Sequence, residues 1–180
     1  KIFPMMPEEL STDLTSLNEG VDRLAVVAEM IVKENGDVPQ SAFFRARVHN
    51  YAKLSYEEIG PWLDGVGEMP DKVARIQGLK EQLEVQQKAA LRLQKYRTAK
   101  GALAFESIES AAVVEDGQIK GIRSVEPNSA RKLIENFMVA TNVEMAEFLE
   151  NSGALSLRRV VKTPERWDGI RRIAAEYGVD

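Results

Sequence analysis

Apolar positions along this chain change their spacing from segment to segment, and each change marks an element. From Arg23 to Lys33, RLAVVAEMIVK is rich in the Val, Ile and Ala of a strand. Asn35-Gly36 follows and is the strongest short hairpin signal. Within Val38 to Asn50, Phe44, Ala46 and Val48 alternate with Arg45, Arg47 and His49, a period of two that predicts a strand with one wet face. These two runs are expected to pair as an antiparallel hairpin, behind an irregular lead-in (residues 1–20) set by Pro4 and Pro7.

The period then lengthens. Ser55 is a cap for a short helix, SYEEIGPWLDG, broken near Gly60-Pro61. Pro70 and Asp71 open a long helix in which Val73, Ile76, Leu79, Leu83, Ala90, Leu93 and Tyr96 keep helical spacing until Gly101 stops it. ALAFESIE and SAAVVEDGQIKGIRSVE predict strands, with a turn at Asp116-Gly117. Pro127-Asn128-Ser129 starts a second major helix to about Glu150. Leu133, Ile134, Phe137, Met138, Val139, Ala140, Val143, Phe148 and Leu149 wrap much of it, so it is expected to be mostly buried. LSLRRVV predicts a short strand, and Thr163-Pro164 is a cap and first-position pair for the helix ERWDGIRRIAAEYG. The order predicts an α+β fold with antiparallel pairing and covering helices, not a βαβ repeat.

At 180 residues the chain forms one domain or two small subdomains with a real core. It has no cysteine, which removes disulfides and thiolate metal sites and fits a reducing cytoplasm, the expected location. No apolar run approaches a membrane span, and the first residues lack a signal-peptide pattern. The net charge of −4 argues against a protein coated in positive charge, while leaving room for a local basic groove.

The common catalytic signatures are missing: no phosphate-binding glycine loop, nucleophile elbow, zinc-helix motif or paired cysteine. His49, the one histidine, falls on the polar face of a strand, so Ser-His and Cys-His catalysis are rejected. Glu8, Glu9, Asp13, Glu19 and Asp22 crowd the start, but at no ligand spacing, and are expected to form a solvated acidic loop. KAALRLQKYRTAK carries Lys88, Arg92, Lys95, Arg97 and Lys100 with no acid among them. Two explanations stand side by side: cations offsetting a helix C-terminus, or a local phosphate-binding edge. Arg158, Arg159, Lys162, Arg166, Arg171 and Arg172 form a second basic region with the same two explanations. Tyr51, Tyr96 and Phe105 lie near basic residues and are candidates for stacking on bases or for the core. Glu135 sits in the first two turns of the second major helix, either complementing its dipole or facing a pocket.

Ordered motifs add a resemblance. PMMPEELSTDLTSL followed by Arg23 resembles the PMLPxxLSxxLCSL…R signature of the ribonuclease II and ribonuclease R (RNB) family. FFRARVHNYAKLSYEEI, GALAFES, SARKLIENFMVATN and LSLRRVVKTPERWDGIRRIAAEYG are similar to later segments of that family in the same order, across almost the whole chain. The resemblance implies an antiparallel sheet or partial barrel with covering helices, the central portion (1–180) of an RNB catalytic domain. It implies a parent that is a hydrolytic, processive 3′→5′ exoribonuclease, uses Mg²⁺ and releases nucleoside monophosphates from single-stranded RNA. Phe105 matches the aromatic that stacks on 3′-end bases, worth roughly 1–3 kcal/mol per base. Glu135 matches the acid that contacts the terminal ribose, a means of telling RNA from DNA. Arg131 and Lys132 flank it on the helix, and Arg97 and Lys100 are the basic residues nearest Phe105.

The chain departs from the family at Asn136, where a second acid is expected, at Arg131, where His or Asn is expected, and at Thr15, where Cys is expected. The family's metal-holding aspartates lie upstream of this sequence and its cleavage-assisting arginine downstream, with OB-type domains flanking. The expectation is therefore an internal piece of such a domain, with no catalytic or metal residue of its own, no membrane association, and the rest of its polypeptide as a partner. The alternatives are a non-catalytic single-stranded RNA-binding module and a protein–protein interaction domain on the same scaffold.

Overall fold

A computed structural model describes residues 4–102, 109–115, 117–125, 127–157 and 164–178. Two units divide the chain, Lys1–Met145 and Ala146–Asp180.

The first unit opens on a turn rather than on irregular chain. Glu9–Leu14 forms a short π-helical segment, in which Ser11 Oγ donates to the Met6 carbonyl and Thr12 Oγ1 to that of Glu8, both at 3.0 Å. The predicted hairpin follows as β1 (Asp22–Ile31) and β2 (Gln40–His49), antiparallel, with Val27 opposite Phe44 and Ala25 opposite Ala46. Its connection is longer than the two-residue turn that Asn35-Gly36 implies. Asn35 Oδ1 accepts from the Asp37 amide (3.1 Å), and Gly36 donates to the Lys33 carbonyl (3.0 Å). Gly36 is at φ +86°, and a Cβ there would lie 2.1 Å from the Arg92 carbonyl oxygen. This loop therefore rests directly on a helix backbone, and only glycine fits. The wet-face reading is corrected at Phe44, which shares a face with Ala46 and Val48 yet is 47% exposed.

Ser55 caps α1 (Tyr56–Leu63), its Oγ accepting from the Glu58 amide at 3.3 Å and donating to Glu58 Oε2 at 3.0 Å. The expected break at Gly60-Pro61 does not occur; the helix runs through to Leu63 with Pro61 inside it. Gly60 explains why. A residue before proline is pushed out of helical geometry by clashes at its N–H and its Cβ, and glycine lacks the second. The lost amide leaves only the Glu57 carbonyl without its helical donor.

The long helix is in two pieces, α2 (Asp71–Arg75) and α3 (Leu79–Ala99). Ile76 is extended (ψ 114°) and Gly78 is left-handed (φ +78°). The break has a packing reason. Val73 and Leu83 would be about 15 Å apart along one straight helix. The turn folds both into one core with Ile59 and Ala130, flanked by Leu54, Trp62, Leu63 and Leu79. Gly101, at φ +90°, ends α3 as expected.

β3 (Glu109–Glu115) and β4 (Gln118–Val125) form the second antiparallel hairpin, separate from the first. The start of the ALAFESIE strand, Phe105 included, lies outside the described residues. α4 (Ser129–Asn151) has the expected span but not the expected burial. Ala130, Leu133 and Asn136 form one buried stripe, while Ile134, Met138 and Val143 are about half exposed. The fold is thus α+β, with two two-stranded sheets among the described residues.

In the second unit α4 ends as Ser152 Oγ donates to the Phe148 carbonyl (2.8 Å) and Gly153 turns left-handed. Leu155 and Leu157 are fully exposed in irregular chain, and the rest of the predicted LSLRRVV strand lies outside the described residues. α5 spans Trp167–Glu176 behind Arg166, later than Thr163-Pro164 implies. Trp167, Ile170, Ile173 and Tyr177 form an exposed apolar stripe along it.

Gly60 tests the central packing. Alanine there would bring a Cβ within 2.2 Å of Asn128 Nδ2, whereas at Gly20 (φ +78°) it would meet nothing within 4 Å. Gly60→Ala is expected to destabilise by about 2 kcal/mol or more, from overpacking and a displaced cap. Gly20→Ala costs about 1 kcal/mol of backbone strain alone. Equal shifts of the urea midpoint would contradict this assignment.

Candidate nucleic-acid interface

The start of α4 is seated on α1 through a short polar network. Asn128 accepts at Oδ1 from the Arg131 amide (3.0 Å), capping the helix, and donates from Nδ2 to the Tyr56 carbonyl (2.9 Å). Its side chain lies against Gly60. At the other end of α1, Asp64 accepts from both the amide and the hydroxyl of Ser129. The start of α4 is thus capped by its own Asn128 and held by Asp64 from the end of α1.

This seating displays three of the six sequence-predicted residues together. Arg131 crosses to α1, with Nη2 3.0 Å from Glu57 Oε1 and its guanidinium 5.0 Å from the Tyr56 ring centroid. Lys132 and Glu135 are exposed on the first two turns of α4. Two cations so near a helix N-terminus oppose the macrodipole, and the first turn holds no acid of its own. Glu57 offsets Arg131; Lys132 is left as positive surface. Asn136, at the position of the missing second acid, faces inward at 4% exposure. Its Nδ2 donates to the Lys132 carbonyl (2.8 Å), and its Oδ1 meets no donor among the described residues.

The other candidates are held separately. Arg97 is half-buried and Lys100 exposed at the end of α3, with Lys100 Nζ 5.4 Å from the Tyr96 ring centroid. Tyr96 donates to Asp37 Oδ1 (3.3 Å), which makes it part of the joint between α3 and the β1–β2 loop. Phe105, Arg158, Arg159 and Lys162 lie outside the described residues. Tyr51 is 75% exposed, its ring centroid 4.8 Å from that of His49.

Three of the five acids near the start are engaged, which corrects the expectation of a loosely solvated loop at those positions, while Glu8 and Glu9 are exposed as expected. Asp13 pairs with Arg23. Glu19 accepts from Lys72 Nζ (2.8 Å) and the Lys53 amide (2.7 Å). Asp22 Oδ1 sits 2.7 Å from His49 Nδ1, with Arg47 at 3.5 Å from its other oxygen. His49 is thus a surface partner of a strand acid. The hydrogen bond from Lys72, helped by the Lys53 amide, holds the Glu19 carboxyl below its usual range. His49 chiefly, then Arg47, does the same for Asp22. Among the described residues no three His, Cys, Asp or Glu side chains converge as metal ligands.

The sequence reading missed Asn128, Gly60, Tyr56 and Glu57 as parts of this surface. An Asn directly before the α4 run and the Gly-Pro pair inside α1 were the available signals.

Comparison with known proteins adds a family. The RNB domain model matches residues 1–175. Ribonuclease R of Vibrio cholerae is 34% identical over 183 residues, covering 100% of this chain and 22% of that protein. Ribonuclease R of Escherichia coli is 32% identical over the same shares. Exoribonuclease 2 of Cronobacter sakazakii is 32% identical over 83% of this chain and 23% of its own. The chain thus spans about a fifth of the length of these relatives. Among solved structures, the apo form of Mycoplasma genitalium RNase R superposes with a TM-score of 0.85 at 24% identity, over 98% of this chain and 27% of that one. The same protein in complex with ribose methylated single-stranded RNA gives the same TM-score. At that identity the likeness carries the fold.

The lowered acids set a pH dependence. A carboxyl whose folded-state pKa is depressed stabilises the fold above its unfolded pKa and loses that contribution as pH falls through the folded value. Urea unfolding between about pH 6 and about pH 3 is expected to show a shallower acid decline in Glu19→Gln and Asp22→Asn than in the parent sequence. Superimposable acid limbs would remove the linkage.

Proposed function

The chain belongs to the RNB domain family, and we propose on that basis that the protein it forms part of is a 3′→5′ hydrolytic exoribonuclease. It degrades single-stranded RNA to nucleoside monophosphates, and this segment supplies a wall of the RNA channel and part of the 3′-end clamp. The observation that carries the reading is the family match over residues 1–175, joined to relatives named Ribonuclease R and Exoribonuclease 2 along the whole or most of the chain. A solved relative named as a complex with RNA supports the substrate class.

In this reading Phe105 stacks on bases near the 3′ end, a sequence-tolerant contact suited to a processive enzyme. Glu135 accepts a hydrogen bond from the terminal ribose 2′-hydroxyl, which DNA lacks. Arg131 and Lys132 attract the neighbouring phosphates, against the preference of the helix dipole, and Arg97 and Lys100 draw in the backbone further along. Mg²⁺ is assigned to residues outside this chain, as are the flanking RNA-binding domains, and residues 1–180 are the central portion of the catalytic domain. A cytoplasmic location belongs to the same reading, supported by a sequence without cysteine and by the absence, among the described residues, of a helix long and apolar enough to cross a membrane.

The test uses the full-length protein and a single-stranded RNA labelled at its 5′ end. The expected result is Mg²⁺-dependent shortening from the 3′ end with release of monophosphates. In EDTA, Phe105→Ala is expected to weaken RNA binding roughly tenfold, the loss of one stacked base. Salt-sensitive binding without shortening would replace the nuclease by the non-catalytic RNA-binding module. No RNA binding at low salt would leave the interaction domain.

A further inference from the structure

Arg131 and Glu135 stand four residues apart on α4. Side chains at that spacing share a helix face, and a guanidinium there reaches the carboxylate one turn on. Such a pair would cover the one acid proposed to read ribose. The structure resolves the conflict on the other side. Arg131 Nη2 lies 3.0 Å from Glu57 Oε1, and its guanidinium lies over the Tyr56 ring. Arg131 is the more sheltered partner, its side chain 32% exposed against 65% for Glu57. Glu135 stays exposed and takes part in no hydrogen bond or ion pair among the described residues.

The backbones on both sides are fixed by one residue. Asn128 Oδ1 accepts from the Arg131 amide while its Nδ2 donates to the Tyr56 carbonyl, so the Tyr56-Glu57 turn and the start of α4 hold a set spacing. The competing pair within α4 has the weaker polarity, with the cation N-terminal to the acid. In the structure the guanidinium lies with the ring and the Glu57 carboxylate.

We infer that Glu57 is a positioning residue: it holds Arg131 against α1 and so keeps the Glu135 carboxylate open to the ribose of an RNA 3′ end. The inference rests on the proposed ribose contact at Glu135. Glu57 touches no substrate in it and acts through Arg131.

The experiment measures equilibrium binding of the full-length protein, in EDTA, to two RNAs of one sequence. One ends in a ribonucleotide and the other in a 2′-deoxynucleotide, and the readout is the ratio of their dissociation constants. That ratio is insensitive to a general loss of phosphate affinity, which affects both RNAs alike. Glu57→Gln is expected to reduce the preference for the ribose end roughly fivefold, the partial loss of one charge-assisted hydrogen bond. Glu57→Gln combined with Arg131→Asn is expected to restore it, since the guanidinium that would occupy Glu135 is gone. A ratio unchanged by Glu57→Gln, or one that stays low in the double variant, overturns the inference. Glu135→Gln separates the two levels. If it leaves the ratio intact, the ribose reading itself fails; if it abolishes the preference while Glu57→Gln does nothing, only the role of Glu57 fails.

Discussion

The side chain of Asn128 lies where Gly60 has no Cβ, and the first unit is organised around that contact. The half-buried amide joins two elements: Nδ2 donates to the α1 carbonyl of Tyr56, while Oδ1 accepts from the first turn of α4. The approach also brings Ala130 to Ile59, Val73 and Leu83 in the core. Any larger residue at position 60 would hold the helices apart and separate both the polar and the apolar halves of the joint. The orientation of α4 follows, and with it the direction in which Arg131, Lys132 and Glu135 project.

A second close approach repeats the principle. Gly36 brings the β1–β2 loop onto the α3 backbone, and Tyr96 ties the same loop through Asp37. Tyr96 is therefore committed to structure, although the sequence left it open as a base-stacking residue. Asp13, Glu19 and Asp22 are committed as well, to Arg23, Lys72 and His49. Such exposed ion pairs contribute little each to stability. Their consequence is electrostatic: Asp13, Glu19 and Asp22 are locally matched, while Lys132 has no ion-pair partner among the described residues.

The departure at Arg131 illustrates how one substitution from a family pattern draws in neighbours. An arginine one turn before the acid proposed to read ribose competes for it, because the two are within reach of each other. Tyr56 and Glu57, both from the Ser55-capped turn of α1, give the guanidinium another place to rest. The cap at Ser55 thus has a role beyond starting a helix, since it sets the direction of the turn that holds Arg131.

Local chemistry was enough for much of this fold. The period of two over residues 43–48, the Ser55 cap, the turn at Gly117, the Gly101 stop and the Asn128-Ser129 start all depend on neighbours within a few residues, and sequence states those neighbours directly. The ordered motifs from Pro4 to the C-terminal helix likewise identified the family without coordinates. What needed the tertiary structure was decided between distant segments. The α2–α3 break exists so that Val73 and Leu83 share one core; Pro61 stays helical because Gly60 precedes it and Asn128 packs there. Burial on α4 is a stripe that begins at Ala130, which packs with Ile59, Val73 and Leu83. Arg131 pairs with Glu57, separated from it by 74 residues, and no spacing rule links the two. A pattern along the chain reports which faces are apolar, but the choice of neighbour for each face is made only when separate segments compete for the same space.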